Sequence, residues 1–259
     1  MSIRVVNWNI AATRRATDVA RALKKTNADL IALQEVDRFV PRSGNRDIAT
    51  EIAEELGYQM VFGRALTFGQ SRPHATRSEY GLCILSKKTI SQHDIFSLSP
   101  PIVPRSLSSP LTDATSERRI LLRAAVVCDG LSISVYNTHL AYSLRSNHPT
   151  RNSQMRKLGK VVNDDNSPHL IFCGDLNETP NWVMRLGLWQ RARLTPARLP
   201  KGTYPAIPPP SGRRSIDYIA HRGLVVMSAD VVAHSALSDH CLLVADLRAH
   251  SETDQIAGC

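Results

Sequence analysis

The chain contains no CxxC pair, and its five cysteines (Cys83, Cys128, Cys173, Cys241 and Cys259) are odd in number and widely spaced. That pattern excludes a zinc ribbon and a dithiol redox site. Cys83, Cys173 and Cys241 sit in apolar runs, where a free thiol behaves as a small core hydrophobe. A reducing compartment is therefore expected. No apolar stretch approaches the ~20 residues needed to span a bilayer. Met1-Ser2-Ile3-Arg4 passes directly into Val5-Val6-Asn7-Trp8 without the apolar core of a signal peptide. The expectation is a cytoplasmic, monomeric protein with no stable membrane insertion. No self-similarity recurs at the periods of solenoids or propellers. Acidic residues are the scarce charges: 32 Lys and Arg face 23 Asp and Glu, a net charge of +9. Such a balance favours anionic partners, namely nucleic acid, an acidic membrane surface or a phosphorylated small molecule. Charge alone fits an ordinary basic soluble protein equally well.

What is present is ordinary globular material. With 42% hydrophobic and 21% charged residues over 259 positions, the chain can bury a substantial core without staples. One domain over 1–249 and a polar tail over 250–259 are expected. Residues 3–9 form a β-branched run that predicts a first strand. Ala16, Val19, Ala20 and Leu23 recur at helical spacing, and Leu30–Leu33 is a buried-strand run that stops at Gln34-Glu35. Ile48, Ile52 and Leu56 mark a second helix closed by Gly57. Residues 63–78, rich in Arg, Ser and Thr, read as a loop, and Gly81–Ser86 as a strand. Asp129-Gly130 between two apolar runs is a strong hairpin signal. A helix over 150–162 turns Met155, Leu158 and Val162 inward, and His169–Cys173 is a short strand. Residues 191–214 hold six basic residues, six prolines and no acid, which predicts a long structured loop. Three strand-like pieces follow, at 215–221, 225–232 and 241–247. The mixture predicts sheets covered by helices.

Polar residues gather where the apolar runs end: Asn9, Glu35, His139, Asp175 with Asn177, and Asp239 with His240. Side chains at strand ends can converge on one rim. Oxygen donors with few carboxylates suit Mg2+ or Mn2+, which keep several waters. Any one of these residues taken alone is more often a turn or capping residue.

Six short motifs occur together in one order: Trp8-Asn9, Leu33-Gln34-Glu35, Asn137-Thr138-His139-Leu140, Gly174-Asp175-Leu176-Asn177, Ile216-Asp217-Tyr218-Ile219 and Ser238-Asp239-His240. In that order they resemble the endonuclease/exonuclease/phosphatase superfamily, the group containing deoxyribonuclease I. The resemblance runs from residue 3 to about residue 247. It implies an α/β (α+β) four-layer sandwich, two packed, mostly antiparallel sheets flanked by helices. It also implies a divalent-metal-dependent hydrolase of phosphate esters. By motif position, Glu35 is the main carboxylate for Mg2+ (or Mn2+), with Asn9 adjacent and Asp239 contributing directly or through water. His240 activates or orients water or holds the phosphate, and Asp217 fixes its tautomer. Asp175 aligns the water, Asn177 donates a neutral hydrogen bond to the transition state, and His139 protonates the leaving oxygen or stabilises the phosphate. Glu79 is assigned to orient His139, a surface charge beside a strand being the alternative. Abasic-site enzymes carry an acid where this chain has Ala11, and a Tyr-based motif where it has Asn137–Leu140. Both departures point away from that branch, toward deoxyribonuclease I, sphingomyelinases and related hydrolases.

The expected substrate is a nucleic-acid phosphodiester. A phospholipid, inositol or other small phosphate ester is the alternative, and an inactive nucleic-acid-binding module the reading from another class. Arg145, Arg151, Arg156, Lys157 and Lys160, with Arg191, Arg193, Arg198, Lys201, Arg213 and Arg214, would form a phosphate-attracting funnel if their segments rim the site. Trp182 and Trp189 could stack bases, although aromatics just after a strand more often pack in a core.

Overall fold

A computed structural model describes residues 2–68, 77–98, 118–143, 147–208 and 212–249. Its strands are β1 (Ser2–Asn9), β2 (Leu30–Arg38), β3 (Gln59–Phe68), β4 (Ser78–Ser86), β5 (Thr89–Ser97), β6 (Ile120–Cys128), β7 (Leu131–His139), β8 (His169–Asp175), β9 (Thr195–Pro196), β10 (Asp217–Arg222), β11 (Leu224–Val232) and β12 (Leu242–Ala249). The helices are α1 (Ala16–Thr26), α2 (Ile48–Leu56), α3 (Pro149–Asp164), α4 (Pro180–Arg185) and α5 (Leu188–Ala192). Two six-stranded mixed sheets form, in the orders β11-β12-β1-β2-β4-β3 and β5-β6-β7-β8-β10-β9.

Alternation along the strands builds the layers. In β1, Ile3 and Val5 face the second sheet, whereas Val6 and Trp8 face α1 and α2. In β2, Leu30 and Ala32 point inward, and Ile31 and Leu33 point to those helices. Period-two side chains thus feed two cores at once. The second sheet does the same: Val135 and Ile171 join the central core, while Tyr136 and Phe172 pack against Met155, Leu158 and Val162 of α3. The expected four-layer sandwich is the architecture found. Among the described residues, no helix is long and apolar enough to cross a membrane. Cys83, Cys128, Cys173 and Cys241 are free and buried.

Local signals explain most element ends. Asp129 and Gly130 have φ of 47° and 85°, the left-handed pair that a two-residue hairpin turn requires. Gly57 closes α2 with φ 69°, and the Asp47 carboxylate caps its other end by accepting from Thr50 N at 3.1 Å. The loop expected over 63–78 is corrected in part: residues 63–68 belong to β3, which pairs with β4. Residues 69–76 of that segment lie outside the described residues, and its last residue, Ser78, begins β4. β3 is an edge strand, where charged and hydroxyl side chains meet solvent, so its composition resembles a loop. β5 is polar for the same reason and carried no recognisable strand pattern.

Direction decides where the chemistry gathers. β1 runs parallel to β2, and β7 parallel to β8, so Asn9, Glu35, His139 and Asp175 all stand toward the C-terminal ends of their strands. β10 is antiparallel to β8 and β12 antiparallel to β1. Asp217, which begins β10, and Asp239-His240, just before β12, therefore come to the same rim.

Candidate active site

Strands β2, β7 and β8, with the loops after β8 and before β12, line a cleft of about 260 Å³ with Glu35, His139, Asp175, Asn177, Asp239 and His240. The fully buried Asp217 carboxylate accepts from Nδ1 of His240, at 3.0 and 3.1 Å to its two oxygens. Thr203 Oγ1 donates to the same carboxylate at 2.6 Å. Backbone contacts hold the imidazole from behind. His240 N donates to Ser238 Oγ, Ser238 Oγ donates to Asn9 O, and Trp8 Nε1 donates to His240 O at 3.1 Å. The ring has one proton partner on Nδ1, which leaves Nε2 facing Asp175 Oδ2 at 3.7 Å.

Charge follows from this arrangement. Burial opposes the imidazolium, but the carboxylates of Asp217, Asp175 and Asp239 outweigh it and push His240 up to about 10. Burial, reinforced by Asp217, pushes Asp175 up to about 7. Asp175 accepts from Asn9 Nδ2 at 3.1 Å and from Asn177 N at 2.8 Å. His139 is held well below the ordinary histidine value, first by burial and then by Arg119 and His240. It is neutral in this arrangement. Asn177 Nδ2 donates to His139 Nε2 and to Leu140 O, both at 3.0 Å. The Leu140 carbonyl can only accept, so it sets the amide orientation and places the His139 proton on Nδ1.

Three sequence-based roles change with the geometry. Glu79 is engaged by Arg38 and Arg64, at 3.4 and 3.3 Å, and does not orient His139. Nδ1 of His139 has no partner among the described residues. Asn9 does not offer its oxygen to the cleft, because Oδ1 accepts from Ala11 N at 2.9 Å. Its amide instead joins the two sheets, donating to Glu35 Oε1 at 3.0 Å and to Asp175. The expected cationic funnel is also reduced. Of the described residues named for it, Arg151 and Arg214 line the cleft, and Arg151 is spent on Glu178 at 2.6 Å. Arg193 donates to Asn163 O, Arg213 to Pro205 O, and Lys160 pairs with Asp164. Arg145 lies outside the described residues. Trp189 packs in the core against Phe172 and Tyr218. The cleft also contains residues that no motif announced: Arg119, Tyr142 and Tyr204, whose ring centroid lies 4.7 Å from that of His240. They come from loops and a strand end, where no periodicity marks them.

Two groupings of acids have different capacities. Asp175, Asp217 and His240 are close enough together to hold a metal ion. However, both Asp217 oxygens already serve His240, and one also serves Thr203, so this cluster is better suited to handling protons. Glu35 and Asp239 line the cleft, and among the described residues neither makes an ion pair. Carboxylate oxygens without a cationic partner, beside a polar cleft, are donors of the type that hard divalent cations take.

The Endonuclease/Exonuclease/phosphatase family matches residues 6–240. The chain belongs to that family. No curated protein matches it by sequence. Solved structures share its fold at low identity. An endonuclease/exonuclease/phosphatase from Beutenbergia cavernae is 21% identical, with TM-score 0.73, over 96% of this chain and 72% of the other. The human nocturnin catalytic domain with bound sulfate is 21% identical, with TM-score 0.69, over 96% and 94%. A mannosyl-6-phosphatase from Bacteroides thetaiotaomicron is 16% identical, with TM-score 0.69, over 95% and 99%.

Proposed function

We propose that the chain hydrolyses phosphate esters with a divalent cation, Mg2+ or Mn2+, at this cleft. The observation that carries the reading is the meeting, at one rim, of a carboxylate-fixed imidazolium, a buried acid near neutrality and two carboxylates that have no cationic partner among the described residues. Glu35 and Asp239 would hold the cation, which when bound supplies charge neutralisation for phosphoryl oxygens. Asp175 accepts the proton of the attacking water, a task that fits a carboxyl whose affinity lies near 7. His240, held by Asp217, presents Nε2–H to a phosphoryl oxygen as a fixed positive donor. His139 stands on the leaving-group side. An arriving phosphate offsets the burial and the Arg119 charge that keep it neutral, and lets it carry a proton to the leaving oxygen. Asn177, whose two amide protons go to His139 and Leu140 O, braces that ring.

The substrate proposed is a nucleic-acid phosphodiester, supported by the net charge of +9 and by Tyr142 and Tyr204 on the cleft wall, where bases could stack. A second reading, a small phosphorylated molecule, is favoured by the short supply of cations at the cleft. A phosphatase and a sulfate-binding domain among the fold relatives are compatible with either. Purified protein with Mg2+ or Mn2+ is to be assayed on plasmid, single-stranded DNA, RNA, sphingomyelin, inositol phosphates and sugar phosphates. Turnover abolished by EDTA is expected, with the polymers cleaved fastest; full activity in EDTA would remove the metal from the proposal. Glu35→Gln should lower turnover about a thousandfold, equivalent to roughly 4 kcal/mol of lost transition-state stabilisation.

A further inference from the structure

Beneath the cleft, three carboxamides with no exposed surface lie between the sheets: Asn7 on β1, Gln34 on β2 and Asn137 on β7. Gln34 Nε2 donates to Asn7 Oδ1 and to Asn137 Oδ1, both at 2.7 Å. Asn137 Nδ2 donates across the sandwich to Leu33 O at 2.8 Å and to Cys83 O at 3.0 Å. Those two carbonyls lie where the pairing of β2 with β4 slips, between Leu33 and Val36. The slip is a bulge, and its second residue is Glu35, at φ 56°. A non-glycine residue in the left-handed region persists only where its surroundings over-determine it. Here the surroundings are the carboxamides below, together with Ile10 N on Gln34 O and Ala12 N on Glu35 O.

The spacing links this layer to the chemistry above it. Asn7 precedes Asn9 by two residues and Asn137 precedes His139 by two, so each pair shares a strand face. Gln34 directly precedes Glu35. Apolar side chains would fill this space without the desolvation that three amides incur. Gln34 Oε1 is buried and has no partner among the described residues, so the layer is not justified by complete hydrogen bonding.

We propose that Asn137, which reaches the β2 bulge from the opposite sheet, and Gln34, which holds Asn137 there, are positioning residues that keep Glu35 aimed into the cleft. The role rests on the reading of Glu35 as a cation ligand. Gln34→Met keeps the length and removes the two hydrogen bonds by which Gln34 holds Asn7 and Asn137, so that Asn137 is no longer fixed against the bulge. Its Mn2+ affinity, measured by titration calorimetry, should weaken about tenfold to a hundredfold, the usual cost of losing a group that orients a ligand. Turnover number on a small activated diester should fall with KM unchanged. Tyr136→Phe is the comparison: it removes a buried hydrogen bond to Asp165 at 2.7 Å, away from the cleft. It should keep wild-type Mn2+ affinity even where its loss in Tm equals that of Gln34→Met. Asn137→Ala, which cuts the clamp from the other sheet, replaces Gln34→Met if the latter does not fold. Wild-type Mn2+ affinity and turnover in the folded clamp variant overturn the proposal. If the wild type itself neither binds Mn2+ nor turns over any ester, the proposed function fails. The clamp is then judged by hydrogen exchange at the Glu35 and Val36 amides, which must speed up in Gln34→Met and must not in Tyr136→Phe.

Discussion

His240 keeps its proton because three carboxylates surround a ring that burial alone would discharge. Two of the three are themselves buried, so none can be removed without rebalancing the others. Replacing His240 by Ala deletes both the donor at Nε2 and the partner of Asp217. Turnover should fall by about 10³-fold, within the range of general acid–base contributions. Asp217→Asn keeps the ring and the Thr203 contact but changes what Nδ1 meets, and should cost less, about 10²-fold. Steady-state turnover on one diester for the two variants checks the order; a larger loss for Asp217→Asn would give Asp217 a role beyond orientation. These two residues were legible in the sequence because short motifs carry them. The structure hydrogen-bonds Asp217 to His240, whereas Glu79 lies with Arg38 and Arg64. Glu79 lies on β4, and only the three-dimensional position of Arg38 and Arg64 decides that its charge is already spent. The orientation of the Asn9 amide was equally hidden, since a sequence states which atoms a residue has and not which way they turn.

Elements carry the precision of the site through buried ion pairs and capped ends. Arg151 on α3 and Glu178, in the turn after β8, each have 1% side-chain exposure, and Glu178 also accepts from Asn147 N at 2.9 Å. Glu178→Ala removes the carboxylate that Arg151 meets in this buried pair, at a cost of about 3–5 kcal/mol. For a chain of this size that corresponds to a fall of roughly 10 °C in Tm. The pair exchange Arg151→Met with Glu178→Leu should recover much of it, because both charges leave together. Calorimetry of the single and double variants checks this: a double variant no more stable than the single shows that the pair contributes more than it costs to bury. A second group reports through pH. Burial works against the Asp165 carboxylate, but bonds from Ser167, Tyr136 and Ser134 outweigh it and hold its pKa below the ordinary range. Its stabilisation is therefore complete above the unfolded value of about 4 and is lost as pH falls through the lower folded value. Asp165→Asn should have a lower Tm than wild type from pH 8 to 5, and the gap should close in stronger acid. A gap constant down to pH 2 would show that the hydrogen bonds and not the charge matter. At this scale the sequence predicted α1, α2, α3 and the β6–β7 hairpin, because periodicity and turn residues are local. β3 and β5 escaped because edge strands spend their side chains on solvent, and α4 and α5 because two helices of one or two turns show too few periods.

At the scale of the molecule, net charge and cleft charge pull toward different substrates. The net charge of +9 attracts any polyanion, but most of the cations named from the sequence lie off the cleft or bond to carbonyls and acids. Arg119 and Arg214 line it beside the neutralised Arg151. A nucleic acid held at the cleft by so few cations should release few counterions, each phosphate contact contributing about 0.7–0.9 to the slope of log affinity against log salt. Arg214→Ser should lower that slope by about 0.7–0.9 and raise KM, while Arg191→Ser should leave both unchanged. Binding to a labelled oligonucleotide between about 50 and 200 mM salt decides the matter. A slope several times larger would mean that the strand runs over Arg156, Lys157 and Arg191, outside the cleft. A slope near zero, with turnover retained on a small ester, would transfer the site to the small-phosphate reading.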